Sequence, residues 1–117
     1  MRECGMLLPV ASLPSKYGIG AFSKEAYEFI DTLKEAGQHY WQILPLGPTS
    51  YGDSPYQSFS AFAGNPYFID LDRLVEEGLL TEEECDAADF GDNPRDIDYG
   101  KIYFNRFPML RRAYERW

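Results

Sequence analysis

The residues best suited to chemistry lie between positions 51 and 67, where aromatic, hydroxyl and amide side chains alternate with glycine and proline. Flat ring faces beside hydroxyls and amides can hold a neutral, hydroxyl-rich ligand such as a sugar. The stretch has no helical period and no strand alternation, so we predict a long, ordered loop with a binding function. Five of its seventeen residues are aromatic: Tyr51, Tyr56, Phe59, Phe62 and Tyr67.

Catalysis is harder to place in this loop. Glycoside chemistry needs two carboxylates on opposite sides of a sugar ring, and among the seventeen residues only Asp53 is acidic. We therefore interpret Asp53 as a turn residue whose side chain satisfies backbone donors. Tyr56 is the stronger ligand candidate, because Pro55 stiffens the chain and fixes the ring and its hydroxyl in place. From the residues alone, a core tyrosine is an equally good interpretation.

Composition limits the partners. A chain of 117 residues can form one domain with a core. Its formal net charge of −8 argues against binding to nucleic acid or to an anionic membrane surface. The apolar run 6–8 ends at Pro9 and is far too short to span a membrane. We predict a protein of the cytoplasm that binds neither nucleic acid nor membrane.

No cofactor or metal site is predicted. His39 is the only histidine, and the two cysteines, Cys4 and Cys85, are far apart in sequence, so the spacing typical of zinc sites is missing. Reduced thiols agree with a cytoplasmic location. The segment Gly18-Ile19-Gly20 lacks the third glycine of a dinucleotide-binding loop, and no acidic residue stands where the ribose partner belongs.

The first fifty residues predict a strand, a helix and a second strand. The apolar run 5–11 is typical of a strand buried on both faces, whose regular part ends near Pro9. A helix with one buried stripe begins after Ser23 as its N-cap and stops at Gly37. The β-forming run 38–44 follows at once. This is a βαβ unit, and the aromatic loop leaves the carboxyl end of its second strand, where parallel α/β folds bind ligands.

Shorter elements are predicted after the loop. Asp70 can cap a brief helix that Gly78 ends, and Thr81 with Glu84 has the spacing of a capping box for another. Asp98 can cap the final helix.

Pro108 interrupts the pattern of that final helix, because it disfavours the helical conformation at the preceding residue. We therefore expect a kink or a break into two helices. One face of the helix carries residues spaced by four and three: Tyr103, Phe107, Leu110, Tyr114 and Trp117.

The run 52–67, which reads GDSPYQSFSAFAGNPY, together with the preceding run 40–49, resembles the N-terminal part of the 4-α-glucanotransferases, the amylomaltase or disproportionating-enzyme family. The likeness extends from about Gly5 to the last helix. It implies an α/β fold that opens a (β/α)₈ barrel, with a βαβ unit in 1–50, a sugar-facing loop in 51–70 and a helical insertion in 71–117. The implied activity is retaining transfer of α-1,4-glucan segments between maltooligosaccharides.

The same resemblance implies roles for six residues. Tyr56 would pack on the sugar next to the scissile bond, and Ser54 would donate a hydrogen bond in the glycone subsites. Tyr51 and Tyr103 would hold glucan at a second site away from the chemistry. Two further positions would support the loop: Asp53 and Gln57.

The family's catalytic carboxylates come from later strands, and none of their motifs occurs in these 117 residues. The chain alone is therefore expected to be inactive. A barrel needs eight strands, so we expect either one piece of a longer protein or self-association. Apolar surface would be left open at Met6, Leu8, Ile43, Leu44 and the apolar stripe of the helix. Two alternatives remain: a non-catalytic glucan-binding module, and an interaction subunit that completes a barrel with a partner chain.

Overall fold

The computed structural model describes residues 2–49, 53–56, 58–60, 62–93 and 95–117. Within these ranges, none of the helices combines the length and apolar character needed to cross a membrane. The elements follow in this order: β1 (Gly5–Leu7), a 3₁₀ turn (Val10–Ser12), α1 (Lys24–Glu35), β2 (Tyr40–Gln42), a second 3₁₀ turn (Pro66–Phe68), α2 (Leu71–Glu76), α3 (Glu82–Ala87) and α4 (Tyr99–Arg116).

The predicted βαβ unit forms. Strands β1 and β2 pair in parallel, with Met6 opposite Trp41, and the backbone N–H of Leu8 continues the ladder to the Gln42 carbonyl at 3.0 Å. Each strand has only three residues, which is shorter than predicted. Because Pro9 has no N–H to donate, the ladder ends there and the chain turns into the 3₁₀ segment.

The prediction that β1 is buried on both faces is wrong. Its three residues are exposed, with Met6 at 49% and Leu7 at 58%. A parallel strand is buried only when neighbouring strands and helices cover it, and in the described residues β2 is its one partner. The predicted opening of apolar surface is confirmed at Met6. Leu8 and Ile43 instead pack partly against the core beneath α1, and Leu44 is half-buried. The prediction is wrong for the helix stripe at Ala26 and Leu33, which are buried.

Helix α1 forms at the predicted position, but the predicted side-chain cap at its N-terminus does not form. Ser23 is the N-cap residue, yet its hydroxyl donates to Glu25 Oε2 at 2.6 Å and makes no capping bond to the backbone. Gly37 ends the helix with φ +74°, in the left-handed region that glycine tolerates. Ala26 and Leu33 form the buried stripe.

The other predicted caps are confirmed. The Asp70 side chain accepts a backbone N–H bond at the start of α2, at 3.1 Å. Thr81 and Glu84 form both bonds of the capping box that opens α3. Asp98 accepts from the Lys101 N–H at 3.1 Å and so begins α4.

Helix α4 continues through Pro108 as one element, so of the two expected alternatives, a kink or a break into two helices, the break is wrong. Pro108 lies on an exposed part of the helix, and Phe104, four residues earlier, is 75% exposed. Because Pro108 has no backbone N–H, the Phe104 carbonyl has no helical hydrogen-bond donor. On this exposed side of the helix, water can donate to that carbonyl instead.

The aromatic residues that share one face of α4 do not form its buried face. The aromatic row is largely open, with Tyr103 at 55% and Tyr114 at 75% exposed. The main core lies under α4, where Leu71 of α2 meets Ile102 and both are 0% exposed. The row that faces this core is Ile102, Arg106, Met109 and Ala113.

Two arginines of α4 join it to α3 through one carboxylate. Glu84 Oε2 lies 2.5 Å from Arg112 Nη1, and Glu84 Oε1 lies 2.6 Å from Arg116 Nη1. These hydrogen bonds, the one from Arg116 first, favour the ionised carboxylate and lower the pKa of Glu84 from 4.5 to about 2.

A pH-dependent contribution to stability follows from Glu84. Because its pKa is lower in the folded state, its stabilisation is complete above about pH 4.5 and disappears as the pH falls through about 2. We expect Glu84→Gln, which keeps the capping box, to lower Tm at pH 7 but not at pH 2. Thermal unfolding of both forms at low salt across this range measures the effect. A Tm difference that stays constant with pH would contradict it.

Candidate functional site

The loop that follows β2 is closed at its base. The backbone N–H of Asn65 donates to the Leu46 carbonyl at 2.8 Å, and the buried Asn65 side chain accepts from the Tyr67 N–H at 2.9 Å. A Cβ on Gly47 would lie 2.6 Å from the Ser58 hydroxyl and 3.2 Å from the Ser60 carbonyl oxygen, so glycine allows the close approach of these two segments. These contacts position the described residues at the base of the predicted loop.

Asp53 marks the turn of this loop. Its φ is +58°, a value otherwise confined to glycines in the described residues, and aspartate tolerates this region better than most residues. Its Oδ1 accepts from Thr49 Oγ1 at 3.4 Å. Burial first, and then the charge of Asp53, raise the pKa values of the Tyr67 and Tyr99 hydroxyls. Both tyrosines therefore stay protonated, as hydrogen-bond donors, at neutral pH.

The loop and α4 form the two sides of an open groove. Its volume is about 1060 Å³, which is at the upper end for small-ligand sites. The loop side consists of Pro48, Thr49, Asp53, Phe59, Ala63, Gly64, Asn65, Pro66 and Tyr67. The helix side consists of Tyr99, Gly100, Tyr103, Phe104 and Phe107.

Aromatic rings of graded exposure line the groove. Tyr67 is buried, and its ring centroid lies 6.3 Å from that of Tyr99 and 5.7 Å from that of Phe107. The Tyr103 ring stands edge-on to those of Phe104 and Phe107, with centroids 5.3 Å apart in both pairs. Tyr103 and Phe104 are mostly exposed, so they offer ring surface to a bound molecule.

A second cavity, of about 210 Å³, lies beside the groove and shares lining residues with it. Its walls include the 3₁₀ turn after β1 and the segment after β2, so it lies at the carboxyl ends of the parallel strands. Asp53, Tyr67 and Tyr99 line both cavities. The aromatic loop therefore lies where ligand binding is expected in a parallel α/β fold.

Comparison with known proteins identifies the family. The family model described as 4-alpha-glucanotransferase matches residues 8–117. The chain belongs to the 4-α-glucanotransferase family. The 4-alpha-glucanotransferase of Streptococcus pneumoniae (strain TIGR4) is 57% identical over 116 residues, which are 99% of this chain and 23% of that protein. The enzyme of Clostridium butyricum is 63% identical over 105 residues, 90% of this chain and 22% of that protein.

The fold agrees with that of a solved glucanotransferase. Amylomaltase from Streptococcus agalactiae, solved in complex with acarbose, superposes with a TM-score of 0.95 at 47% identity. The match covers 98% of this chain and 23% of that one. The resemblance predicted from the sequence is confirmed, and the chain spans about a quarter of the length of the relatives it matches.

The glucanotransferase resemblance predicted six site residues, and the structure brings two of them together, because Asp53 and Tyr103 line opposite sides of the groove. Tyr56 is 71% exposed at the turn of the loop, outside the lining of both cavities. The hydroxyl of the half-buried Ser54 accepts the Tyr56 N–H at 3.3 Å and so shapes that turn. Two predicted residues lie outside the described part of the chain: Tyr51 and Gln57.

Sequence reasoning missed part of the helix side of this glucanotransferase groove. Tyr99 and Phe104 line it, and neither was predicted to. Tyr99 precedes Tyr103 by four positions and Phe107 follows it by four, so a helical row of rings was present in the sequence. That spacing was the available signal, but it could not show which surface the row faces.

Proposed function

We propose that this chain forms part of the glucan-binding surface of a 4-α-glucanotransferase, an enzyme that transfers α-1,4-glucan segments between maltooligosaccharides. The main observation in support of this proposal is the aromatic groove between the loop and α4. Its ring faces can stack on sugar rings, and its tyrosine hydroxyls, with Asp53 and Asn65, can bond sugar hydroxyls. A glucan of the maltooligosaccharide or starch type is the proposed ligand.

Two sets of contacts are proposed within this surface. Tyr56 and Ser54 would face the sugar near the scissile bond, which the exposed ring of Tyr56 and its short turn support. Tyr51 and Tyr103 would hold glucan at a second position. Asp53 and Gln57 would support the loop, and the left-handed backbone of Asp53 supports that role.

The chain is proposed to supply the opening βαβ portion of a (β/α)₈ barrel. Residues 1–50 would form that unit, 51–70 the sugar-facing loop and 71–117 a helical insertion. Parallel pairing of β1 and β2 supports this arrangement. The exposed side chains of Met6 and Leu7 would then be covered by the remaining strands and helices of the enzyme. The proposed location is the cytoplasm.

The catalytic acids are proposed to lie outside these residues. In the described residues, Asp53 is the only carboxylate that lines either cavity, and retaining glycosyl transfer needs two. The purified 117-residue chain should therefore release no glucose from maltotriose, measured by a coupled glucose assay with a complete family member as positive control. Glucose release at a rate comparable to that of the complete family member would contradict the proposal that the catalytic acids lie outside these residues.

The exposed strand pair favours a second candidate, a non-catalytic subunit that binds a partner chain or another copy of itself. Met6 is 49% and Leu7 is 58% exposed on a parallel strand, a class of strand that is normally covered. Sedimentation of the purified chain, together with assays of glucan binding and turnover, distinguishes a subunit from a binding module. A stable dimer, or a partner that completes a barrel, would favour the subunit, and a monomer that binds glucan without turnover would favour a binding module.

A further inference from the structure

One buried arginine has no role in the site described so far. Arg106 lies on the core face of α4 with 1% of its surface exposed. Its Nη2 donates to the Ile69 carbonyl. The Nε and Nη1 groups have no hydrogen-bond partner among the described residues. Leaving such donors unsatisfied in a protein interior is costly, so a partner is needed.

Asp70 is the candidate partner, because it lines the same small cavity as Arg106 and carries a negative charge. Burial lowers the pKa of Arg106 to about 10, and the charge of Asp70 is the strongest influence against that shift. Burial also disfavours the charged form of Asp70 and therefore raises its pKa. One oxygen of Asp70 accepts the Asp72 N–H at 3.1 Å. No direct ion pair joins Arg106 to Asp70 in the described part of the chain, although both residues line the same cavity.

A small polar cavity is lined by both residues. Its volume is about 10 Å³, which is close to the minimum that one water molecule occupies. Besides Arg106 and Asp70, it is lined by polar side chains that include Ser23, Glu25 and Asp72. A water molecule here would have the two to four polar partners that buried waters make.

We propose that Arg106 is a positioning residue for the glucan groove, joined to Asp70 through one bound water molecule in this cavity. The proposal rests on the function proposed above, since it concerns the shape of the same groove.

The position of Arg106 in the fold explains how it would act. It lies on α4 between Tyr103 and Phe107, both of which line the groove. Its acceptor, Ile69, follows Tyr67 by two residues, and the Tyr67 and Phe107 rings are 5.7 Å apart. Purely apolar contacts allow a helix to slide, whereas a guanidinium binds its acceptors in fixed directions. Arg106 therefore sets the separation of the groove's two sides.

The test uses the complete natural polypeptide that carries these residues and calorimetric titration with maltoheptaose. Arg106→Met, which fills similar volume without donors, should bind about 10-fold more weakly. Arg106→Lys keeps a donor for the Ile69 carbonyl and should recover to within about 3-fold of wild type. Arg112→Met is the matched control, because Arg112 lies on the same helix and pairs with Glu84 away from the groove. It should bind as wild type does.

A purely structural role predicts a different result. Arg106→Met would then lower Tm while the folded protein kept the wild-type Kd, and that outcome overturns the proposal. If Arg106→Met does not fold, Asp70→Asn replaces it, since asparagine keeps the α2 cap and removes the charge. It should weaken binding about 3-fold, and unchanged binding would count against positioning. A wild-type protein that binds no maltoheptaose would instead refute the proposed function.

The water link has its own test. A crystal structure at high resolution should show one water molecule about 2.7–3.2 Å from both the Arg106 guanidinium and the Asp70 carboxylate. A direct ion pair between the two side chains would contradict the water link.

Discussion

Replacing Tyr103 with alanine is expected to weaken maltooligosaccharide binding about 30-fold, which corresponds to about 2 kcal/mol for the loss of one aromatic contact. Tyr103 is 55% exposed on the helix side of the groove, so its ring is available to a sugar. It also supports Phe104 and Phe107 edge-on, at 5.3 Å each. Titration calorimetry with maltoheptaose, on the complete natural polypeptide, measures the change.

Two further variants show whether the ring itself is responsible. Tyr103→Phe keeps the ring and removes the hydroxyl, so it should lose only a small part of the affinity. Tyr27→Ala is the matched control, because Tyr27 is 70% exposed on α1 and lines neither the groove nor the cavity beside it. Equal Kd values for Tyr103→Ala and Tyr27→Ala would show that α4 is not part of the glucan site.

Replacing Gly20 with alanine is expected to lower the free energy of unfolding by about 3 kcal/mol, at the upper end for overpacking. A Cβ at this position would lie 2.0 Å from the Val10 carbonyl oxygen and 2.7 Å from the Leu13 nitrogen. Both are backbone atoms, so no side chain can move aside, and the Gly20 N–H is also bonded to the Ala11 carbonyl at 3.0 Å. Urea denaturation followed by circular dichroism measures the loss.

Gly64→Ala is the control for that experiment. Among the described residues, no atom lies within 4 Å of a Cβ at Gly64, and the Gly64 backbone is outside the left-handed region. Its stability should stay within about 0.5 kcal/mol of wild type. If both variants were equally stable, the turn that follows β1 would not be packed against Gly20. That turn is also a wall of the cavity beside the groove, so Gly20→Ala should disturb ligand binding as well.

Local features of the fold were predictable because neighbouring residues determine them. The caps at Asp70, Thr81 and Asp98 depend on side chains that bond backbone groups two or three residues away. The uninterrupted course of α4 was not predictable, because it depends on Pro108 lying on the exposed side of the helix. The exposure of β1 also required the structure, since an apolar run does not reveal whether anything covers it.

Part of the candidate site was also predictable from local sequence. The composition of the loop and its place after β2 indicated a ligand surface at the carboxyl ends of the strands. The helix side of the groove depends on how α4 packs, which no local pattern contains. Arg106 is the clearest case: an arginine in a helix is usually exposed, yet here it shares the core face with Ile102 and Met109.

The most direct test of glucan binding at the groove is a crystal structure of the complete natural polypeptide with maltoheptaose. We expect sugar density between the loop and α4, with one ring stacked on Tyr103 and a sugar hydroxyl within hydrogen-bond distance of Asp53. Sugar bound elsewhere, with neither residue in contact with it, would contradict the proposed site.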